Sequence, residues 1–171
     1  MTPIHNGRHT ARLDGDFVVF LIGMRINRLL ALRRWVPVAR AMGPMVEHLM
    51  QHRELGLLHA ETFVQWRGVG LVQYWRSFEQ LERFARDPAL LHVPAWRAFN
   101  QAVGGDGSVG IWHETYRVRA GEYECIYGNM PRRGLALAGE HLPVAGARET
   151  ARGRLGLRDG ASQPGPRAGG R

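Results

Sequence analysis

Residues 17–27 read Phe-Val-Val-Phe-Leu-Ile-Gly-Met-Arg-Ile-Asn and contain the longest apolar run of this 171-residue chain. The stretch is rich in Val, Ile and Phe and too short for most helices, so it predicts a strand over residues 16–27 that is buried on both faces. Because side chains alternate along a strand, Arg25 and Asn27 share one face at its end, and Met24 shares the other with Ile26.

The segments that follow this strand predict the order of an α+β fold. We expect a helix that begins with Pro37 in its first turn, a hairpin of two strands, a second helix that opens at a capping box, and a further strand with one added extended segment. The corresponding ranges are 36–52, 56–66 and 69–76, 77 to about 103, 108–119 and 122–130. The β-α-β-β-α-β order is that of the ferredoxin-like fold.

A ferredoxin-like sheet carries its helices on one face and leaves the other face bare. The predicted strands are apolar on both faces, so the bare face would be a large exposed apolar patch. Pairing of two such faces removes the patch. We therefore expect a homodimer that forms a dimeric α+β barrel, with one pocket between the sheet and the helices of each subunit.

Composition divides the chain into three parts. Residues 16–131 form the predicted barrel domain, residues 1–15 a flexible polar arm, and residues 132–171 a basic Gly/Pro/Arg-rich tail that is largely disordered at its end. The net charge is +8, but the tail holds 8 Arg against 3 acids, so the barrel domain is nearly balanced and no nucleic-acid partner is expected.

The compartment follows from cysteine usage and apolar run length. A single cysteine excludes an internal disulfide and favours a reducing environment. The longest apolar run spans residues 17–24, whereas a membrane helix needs about 20 apolar residues. We expect a cytoplasmic protein with no membrane partner.

Nucleotide, zinc-protease and CxxC signatures are missing from the sequence, which leaves its His, Trp, Tyr and Arg residues as candidates. His92, Trp96 and Phe99 lie at i, i+4 and i+7 and share one face of the predicted second helix. If that face packs on the sheet, the imidazole of His92 could act as a base or bind iron. Alternatively, His92 lies at the edge of a core stripe and makes one hydrogen bond.

Residues 112–116 form a second cluster, Trp-His-Glu-Thr-Tyr. On a strand, Trp112, Glu114 and Tyr116 face one way, and His113 and Thr115 face the other. A desolvated Glu114 between two aromatic rings would have a raised pKa and could serve as an acid or base. An ion pair with one of the many arginines is the favoured alternative for this carboxylate.

Arg25 and Asn27 end the first strand, where they could stabilise an oxyanion or instead cap the following loop. The residues leave these two alternatives open.

Several histidine and aromatic positions have less specific patterns. His59 lies two residues before Glu61 on a strand face, but no second His pair with helix spacing supports it, so no metal site is expected. His48 and His52 have that spacing and are expected to end an exposed helix. Trp75 and Tyr127 are expected in the core or in a pocket wall.

Taken together, these pieces resemble a known family. The matching segments are residues 19–27, 35–38, 88–99, 112–116 and 124–131, and they span about two thirds of the chain. They resemble the monooxygenase-like family of dimeric α+β barrels related to the fumagillin-pathway monooxygenase. That family is similar in fold to antibiotic-biosynthesis monooxygenases, haem-degrading monooxygenases and haem-containing aldoxime dehydratases.

The resemblance implies oxygen-dependent chemistry on a hydrophobic, aromatic or polyketide-like molecule, in specialised metabolism. Some barrel relatives need no cofactor because the substrate anion itself reduces O2, and we expect this case here. His92 or Glu114 would then take the substrate proton, and Arg25 and Asn27 would stabilise the oxyanion. The expected substrate-binding residues are Trp75, Trp96, Phe99, Trp112, Tyr116, Tyr127 and His59.

Two alternatives remain open at the level of sequence. Other barrel relatives hold haem through a helix histidine, so His92 could be the axial ligand of haem b, with His113 or Arg25 on the distal side. The protein could also be a non-catalytic dimer that binds a hydrophobic ligand.

Overall fold

The structure is a computed structural model that describes residues 2–86, 101, 103 and 105–157. Seven strands, four α-helices and two 3-10 turns are assigned within these residues. In chain order they are β1 (His5–Arg12), β2 (Phe17–Ile26), α1 (Leu32–Gln51), a 3-10 turn (Arg53–Leu55), β3 (Leu57–Gln65), β4 (Gly68–Trp75), α2 (Phe78–Arg86), β5 (Val109–Val118), β6 (Tyr127–Met130), α3 (Leu135–Ala138), β7 (Glu140–Pro143), a 3-10 turn (Gly146–Glu149) and α4 (Ala151–Arg154). None of the described helices combines the length and the apolar character needed to cross a membrane.

The predicted α+β class is confirmed by a four-stranded antiparallel sheet with the order β3-β4-β2-β5, here called the main sheet. Strand β2 is flanked on both sides, by β4 and by β5, as its apolar sequence predicts. The hairpin between β3 and β4 turns at Trp66 and Arg67, one residue earlier than predicted. Arg67 has a φ of +63° there.

Helices α1 and α2 cover one face of the main sheet. One core cluster joins Val18 and Trp75 of the sheet to Leu49 of α1 and to Leu81 and Phe84 of α2. A second cluster, at the other end of β2, consists of Met24, Val38 and Val109. Helix α1 begins at residue 32, four residues before the predicted start, and it continues through Pro44.

Residues 1–15 are predicted to be a flexible arm, and in this respect the structure differs. Residues 5–12 form β1, the central strand of a second sheet with the order β6-β1-β7, here called the terminal sheet. Strand β1 is held by backbone pairing with β6 and β7, which lie more than a hundred residues later in the chain. The polar sequence of the arm does not by itself predict such pairing. Of the added extended segment predicted over residues 122–130, residues 127–130 pair here as β6.

The first part of the predicted C-terminal tail is folded as well. Residues 135–143 form α3 and β7, whereas residues 158–171 lie outside the described part. Leu135 and Ala136 of α3 are buried in a cluster with Ala11, Leu13 and Phe17. The burial of these two apolar residues therefore folds a segment whose average composition is typical of a disordered tail.

The terminal sheet and α3 cover part of the main-sheet face that the sequence leaves bare. The Glu61 carboxylate of β3 accepts hydrogen bonds from Arg133 Nε at 3.1 Å and from the Gly134 N–H at 2.9 Å, just before α3. The rest of this face holds half-buried side chains that include Leu21 and Val72. This remaining area is the surface on which the predicted homodimer depends.

Candidate active site

A cavity of about 340 Å³ lies between the main sheet and α2, on the sheet face where a pocket is expected. We call it the sheet–helix cavity. Its described lining residues are Phe20, Ile22, Gln73, Trp75, Phe78, Leu81, Glu82, Phe84, Ala85, Arg86, His113 and Thr115.

Strand alternation and register build the floor of this cavity. Phe20 and Ile22 are two residues apart on β2 and point to the same face. Phe20 lies opposite Gln73 of β4 and Thr115 of β5, and Ile22 lies opposite His113. The central strand therefore supplies apolar groups, and its two neighbours place polar groups beside them.

Helix α2 forms the other wall. Ser77 accepts a hydrogen bond through Oγ from the Gln80 N–H at 3.2 Å, as the predicted capping box requires. The helix then presents Phe78, Leu81 and Phe84 at the i, i+3 and i+6 spacing of one helix face. The Phe84 and Trp75 rings lie 5.5 Å apart between centroids, so the wall and the floor meet through aromatic contact.

Gln73 and Trp75 are the buried polar groups of the cavity. Trp75 is fully buried and Gln73 is 3% exposed. Trp75 Nε1 donates a hydrogen bond to Gln73 Oε1 at 2.8 Å. Because an indole N–H can only donate, this bond fixes the orientation of the amide. The two hydrogens on Gln73 Nε2 are not used by Trp75, and this group can donate to an oxygen atom of a ligand.

The open side of the cavity carries titratable groups. His113 is exposed on β5, an edge strand of the main sheet, and its ring lies 5.7 Å from that of Phe20. Arg86 and Glu82 of α2 form an ion pair of 2.9 Å. The cavity thus combines an apolar interior, the oriented amide of Gln73 and the solvent-exposed imidazole of His113.

Of the expected substrate-binding residues, Trp75 lines this cavity. His92, Trp96 and Phe99 lie outside the described residues, so their predicted roles, including that of His92 as base or haem ligand, remain predictions. His113, considered above only as a distal haem residue, is placed in the cavity by the strand alternation that the sequence predicts.

The predicted alternation within residues 112–116 is confirmed, and it takes Trp112, Glu114 and Tyr116 to the sheet face opposite the cavity. Glu114 is exposed, so the structure does not show the desolvation between two aromatic rings that would make this carboxyl an acid or base, which was the less favoured of the two alternatives. The Tyr116 hydroxyl donates to the Glu114 carboxylate, and this bond raises the pKa of Tyr116. Trp112 packs over Gly23, where an added Cβ would lie 2.8 Å from the indole.

Arg25 and Asn27 are exposed and do not line the cavity. Asn27 Nδ2 donates to the Gly107 carbonyl at 3.0 Å, and the Asn27 carbonyl accepts a hydrogen bond from Arg67. These contacts tie the end of β2 to the β3–β4 hairpin and to the loop before β5. The structure therefore favours the loop-capping alternative for Asn27.

His59 and Tyr127 lie near the junction of the main sheet with the terminal sheet and α3, not in the sheet–helix cavity. His59 Nε2 lies 3.6 Å from Glu61, and burial lowers the pKa of this histidine despite the nearby carboxylate. Tyr127 packs on the cluster around Leu135, and burial raises the pKa of its hydroxyl. In the structure, both residues pack against neighbouring side chains outside the cavity.

Gln73 and the apolar floor residues Phe20 and Ile22 were not predicted as site residues. A signal was present, because Gln73 is the polar member of an alternating stripe with Leu71 and Trp75. A polar side chain in such a buried stripe needs a partner, and the indole two residues later provides one.

The described lining of the sheet–helix cavity does not fit haem. A histidine that holds haem iron needs a ring nitrogen aimed into an enclosed apolar space. The imidazole of the described lining belongs to His113, which is exposed, and the buried unpartnered imidazole nitrogens of the described chain lie elsewhere, on His9, His59 and His141. The described lining also holds no Cys, Met or Tyr that could take the place of a histidine ligand.

A model of the family described as "Monooxygenase af470-like" matches residues 17–135. The chain belongs to this family. It is also 30% identical to monooxygenase af470 of Aspergillus fumigatus, over 75% of this chain and 53% of that protein. The chain therefore spans about half the length of the curated relative that it matches.

A comparison with solved structures also finds similar chains. The crystal structure of aldoxime dehydratase OxdRE in complex with butyraldoxime matches with a TM-score of 0.63 and 14% identity, over 78% of this chain and 40% of that one. SnoaB, a cofactor-independent oxygenase from Streptomyces nogalater, matches with a TM-score of 0.42 and 14% identity, over 61% of this chain and 94% of SnoaB. The OxdRE match agrees with the predicted ferredoxin-like barrel.

Proposed function

We propose that this protein is an oxygen-dependent monooxygenase of specialised metabolism that acts on a hydrophobic, aromatic or polyketide-like small molecule in the sheet–helix cavity. The observation that carries the proposal is an apolar cavity whose buried amide, on Gln73, is held in one orientation by Trp75. Family membership supports the class of reaction. The proposal includes a homodimer, and it places the protein in the cytoplasm.

The cavity suits a small ring system. Ligand pockets commonly measure about 300–1,000 Å³, and a cavity of about 340 Å³ is at the lower end of that range. Aromatic and aliphatic groups form most of its described wall. Such a wall removes water from a bound substrate anion and keeps water from its reactive carbon.

Two cavity residues have chemistry that suits the reaction. The imidazole of His113 can accept a proton from an acidic C–H or O–H of the substrate. Gln73 Nε2 can donate to the substrate oxygen on which negative charge develops. His92 remains a predicted base, whereas Glu114, Arg25 and Asn27 lie outside the cavity and are not assigned to this step.

The reaction balances without a flavin or a nicotinamide if the substrate supplies the electrons. Deprotonation of an activated CH2 group gives a carbanion that transfers electrons to O2 and then bonds to it. One oxygen atom stays on the carbon as a carbonyl, and the other leaves as water with the two hydrogens of the CH2 group. The protein contributes proton transfer, orientation and exclusion of bulk water.

Oxygen uptake by the purified full chain tests the proposal. A panel of phenolic polycyclic compounds with an acidic CH2 group would be supplied, and we expect Gln73→Leu to lower kcat/KM by at least about tenfold. Glu114→Gln changes a polar residue on the opposite sheet face and is expected to leave kcat/KM within about twofold. Equal rates for the two variants would contradict the assigned cavity.

The same preparation separates the alternatives. A colourless protein that consumes O2 supports the proposal. A chromophore that purifies with the protein and gives an intense Soret absorption band would instead support haem chemistry. Ligand binding without O2 consumption across the panel would support a binding module.

A further inference from the structure

We propose that His5, His9 and His141 form a binding site for a divalent transition metal ion of the Zn²⁺ class. Each histidine offers one ring nitrogen, and the three nitrogens lie within 4.8 Å of one another. The site lies on the terminal sheet, and its three residues fall outside the segment 17–135 that the family model matches. None of the three lines the sheet–helix cavity, so the site is separate from the proposed oxygenation chemistry.

The terminal sheet brings together histidines from opposite ends of the chain. His5 and His9 lie on β1, which has a bulge between residues 5 and 8 in its pairing with β6. Gly7 has a φ of +81° within this bulge, and its N–H donates to Asn129 Oδ1 at 2.8 Å. His141 lies on β7, where it pairs with Ala11, two residues after His9.

The rings form one compact group. The His9 and His141 rings are stacked, with centroids 4.5 Å apart and an interplanar angle of 16°. The edge of His5 packs on His141 at 4.7 Å. Strand pairing on both sides of β1 supports this arrangement, so a metal ion would find its ligands already gathered.

Two unpartnered nitrogens point to a missing ligand. His9 Nδ1 and His141 Nε2 are buried and have no hydrogen-bond partner. Buried polar atoms in folded proteins are nearly always hydrogen-bonded, and a leftover atom needs an explanation. A coordinated metal ion would satisfy both nitrogens at once.

Ligand type and number define the class of ion. Imidazole ligands suit Zn²⁺, Cu²⁺ and Ni²⁺ better than Mg²⁺ or Ca²⁺, which prefer oxygen. Zn–N bonds are about 2.0–2.1 Å long, so the three rings must close slightly around the ion. Three protein ligands leave a fourth position for water or a small anion.

Metal titration of the untagged full chain after chelator treatment tests the proposal. We expect calorimetry to show one Zn²⁺ per chain and Co²⁺ to give the visible bands of a tetrahedral site. Loss of even an outer-shell contact commonly costs 10–100-fold in affinity, so His141→Gln or His9→Gln should weaken binding by at least about tenfold. The control is His48→Gln with His52→Gln, which removes a histidine pair whose rings lie 4.2 Å apart at the C-terminal end of α1.

For the wild-type chain and its more central variants, either of two results would overturn the proposal. One is the absence of saturable Zn²⁺ binding and of Co²⁺ bands in the wild-type chain. The other is binding that survives His141→Gln and disappears in the control. His5→Gln, near the start of β1, covers the case in which a more central variant does not fold. It should remove the rise in thermal midpoint that Zn²⁺ gives the wild-type chain, and a full rise in this variant would also count against the site.

Discussion

The main sheet and the terminal sheet are built from different kinds of sequence. The main sheet has at its centre β2, an almost continuous apolar strand, and two helices cover one of its faces. The terminal sheet has the polar strand β1 at its centre and joins the two ends of the described chain. Hydrophobic burial therefore specifies the main sheet, whereas long-range backbone pairing and a few anchoring contacts specify the terminal sheet.

The largest expected effect concerns the uncovered part of the main-sheet face. We expect the wild-type chain to be a homodimer and Leu21→Arg to be a monomer. Symmetry repeats the new charge across a face-to-face interface, and the repulsion should cost several kcal/mol, at least about a hundredfold in the dimer Kd. Light scattering coupled to size exclusion measures the change. Leu137→Arg, at an exposed position on α3, is the matched control, and a wild-type monomer would contradict the expectation.

Within the core of the main sheet, Trp75→Ala should cause the next largest loss. Trp75 is fully buried, and it contacts Phe84 and orients Gln73. Truncation of a buried aromatic residue costs about 3–5 kcal/mol in the free energy of unfolding. Urea unfolding measures this loss, and a loss below about 1 kcal/mol would show that the core tolerates a large void.

The contact between the main sheet and the segment before α3, here called the joint, depends on Glu61. Glu61→Ala removes the acceptor for Arg133 and for the Gly134 N–H and should cost about 1–3 kcal/mol. Hydrogen exchange should accelerate in α3 and β7 more than in β2. Glu82→Ala removes an ion pair on α2 and should change stability by less than about 1 kcal/mol. Uniform acceleration in both sheets would contradict a separate joint.

The smallest expected effect is a pH dependence near the same joint. Burial lowers the pKa of His59 in the folded state, although Glu61 opposes this and Arg53 adds to it. The unfolded chain therefore binds a proton more readily, and the His59 contribution is fully present above the unfolded pKa of about 6.5. Stability should be lost as the pH falls below that value. His59→Gln should reduce the slope of the unfolding midpoint plotted against pH between about pH 7 and pH 5. An unchanged slope would rule out this contribution.

The same comparison shows what could be read from the sequence. Local signals predicted much of the main sheet: an apolar run predicted β2, strand and turn patterns predicted the β3–β4 hairpin, a capping box predicted the start of α2, and strand alternation predicted the opposite faces of His113 and Glu114. Such local signals failed for β1 and α3, because their order depends on partners distant in sequence and on a cluster that includes small residues such as Ala11 and Ala136. The three histidines were missed for the same reason, since they lie in the predicted arm and tail, outside the predicted barrel domain.

The site was partly readable. Trp75 was expected in the pocket wall, and the pocket was expected between sheet and helices. Gln73 was overlooked because a lone glutamine in an apolar strand reveals its partner only when the rotamers are known. Arg25 and Asn27 were proposed for an oxyanion role on residue type alone, but exposure and the bond from Asn27 to Gly107 separate them from the cavity.

Isotope labelling in a single turnover tests whether the chain oxygenates its substrate in the sheet–helix cavity. The full chain would react with a phenolic substrate under ¹⁸O2, and mass spectrometry would follow the label in the product. We expect one labelled oxygen atom in the product of the wild-type chain and of Glu114→Gln, and a much slower gain of label in Gln73→Leu. Label absent from the product, or gained at the wild-type rate in Gln73→Leu, would contradict oxygenation in the sheet–helix cavity.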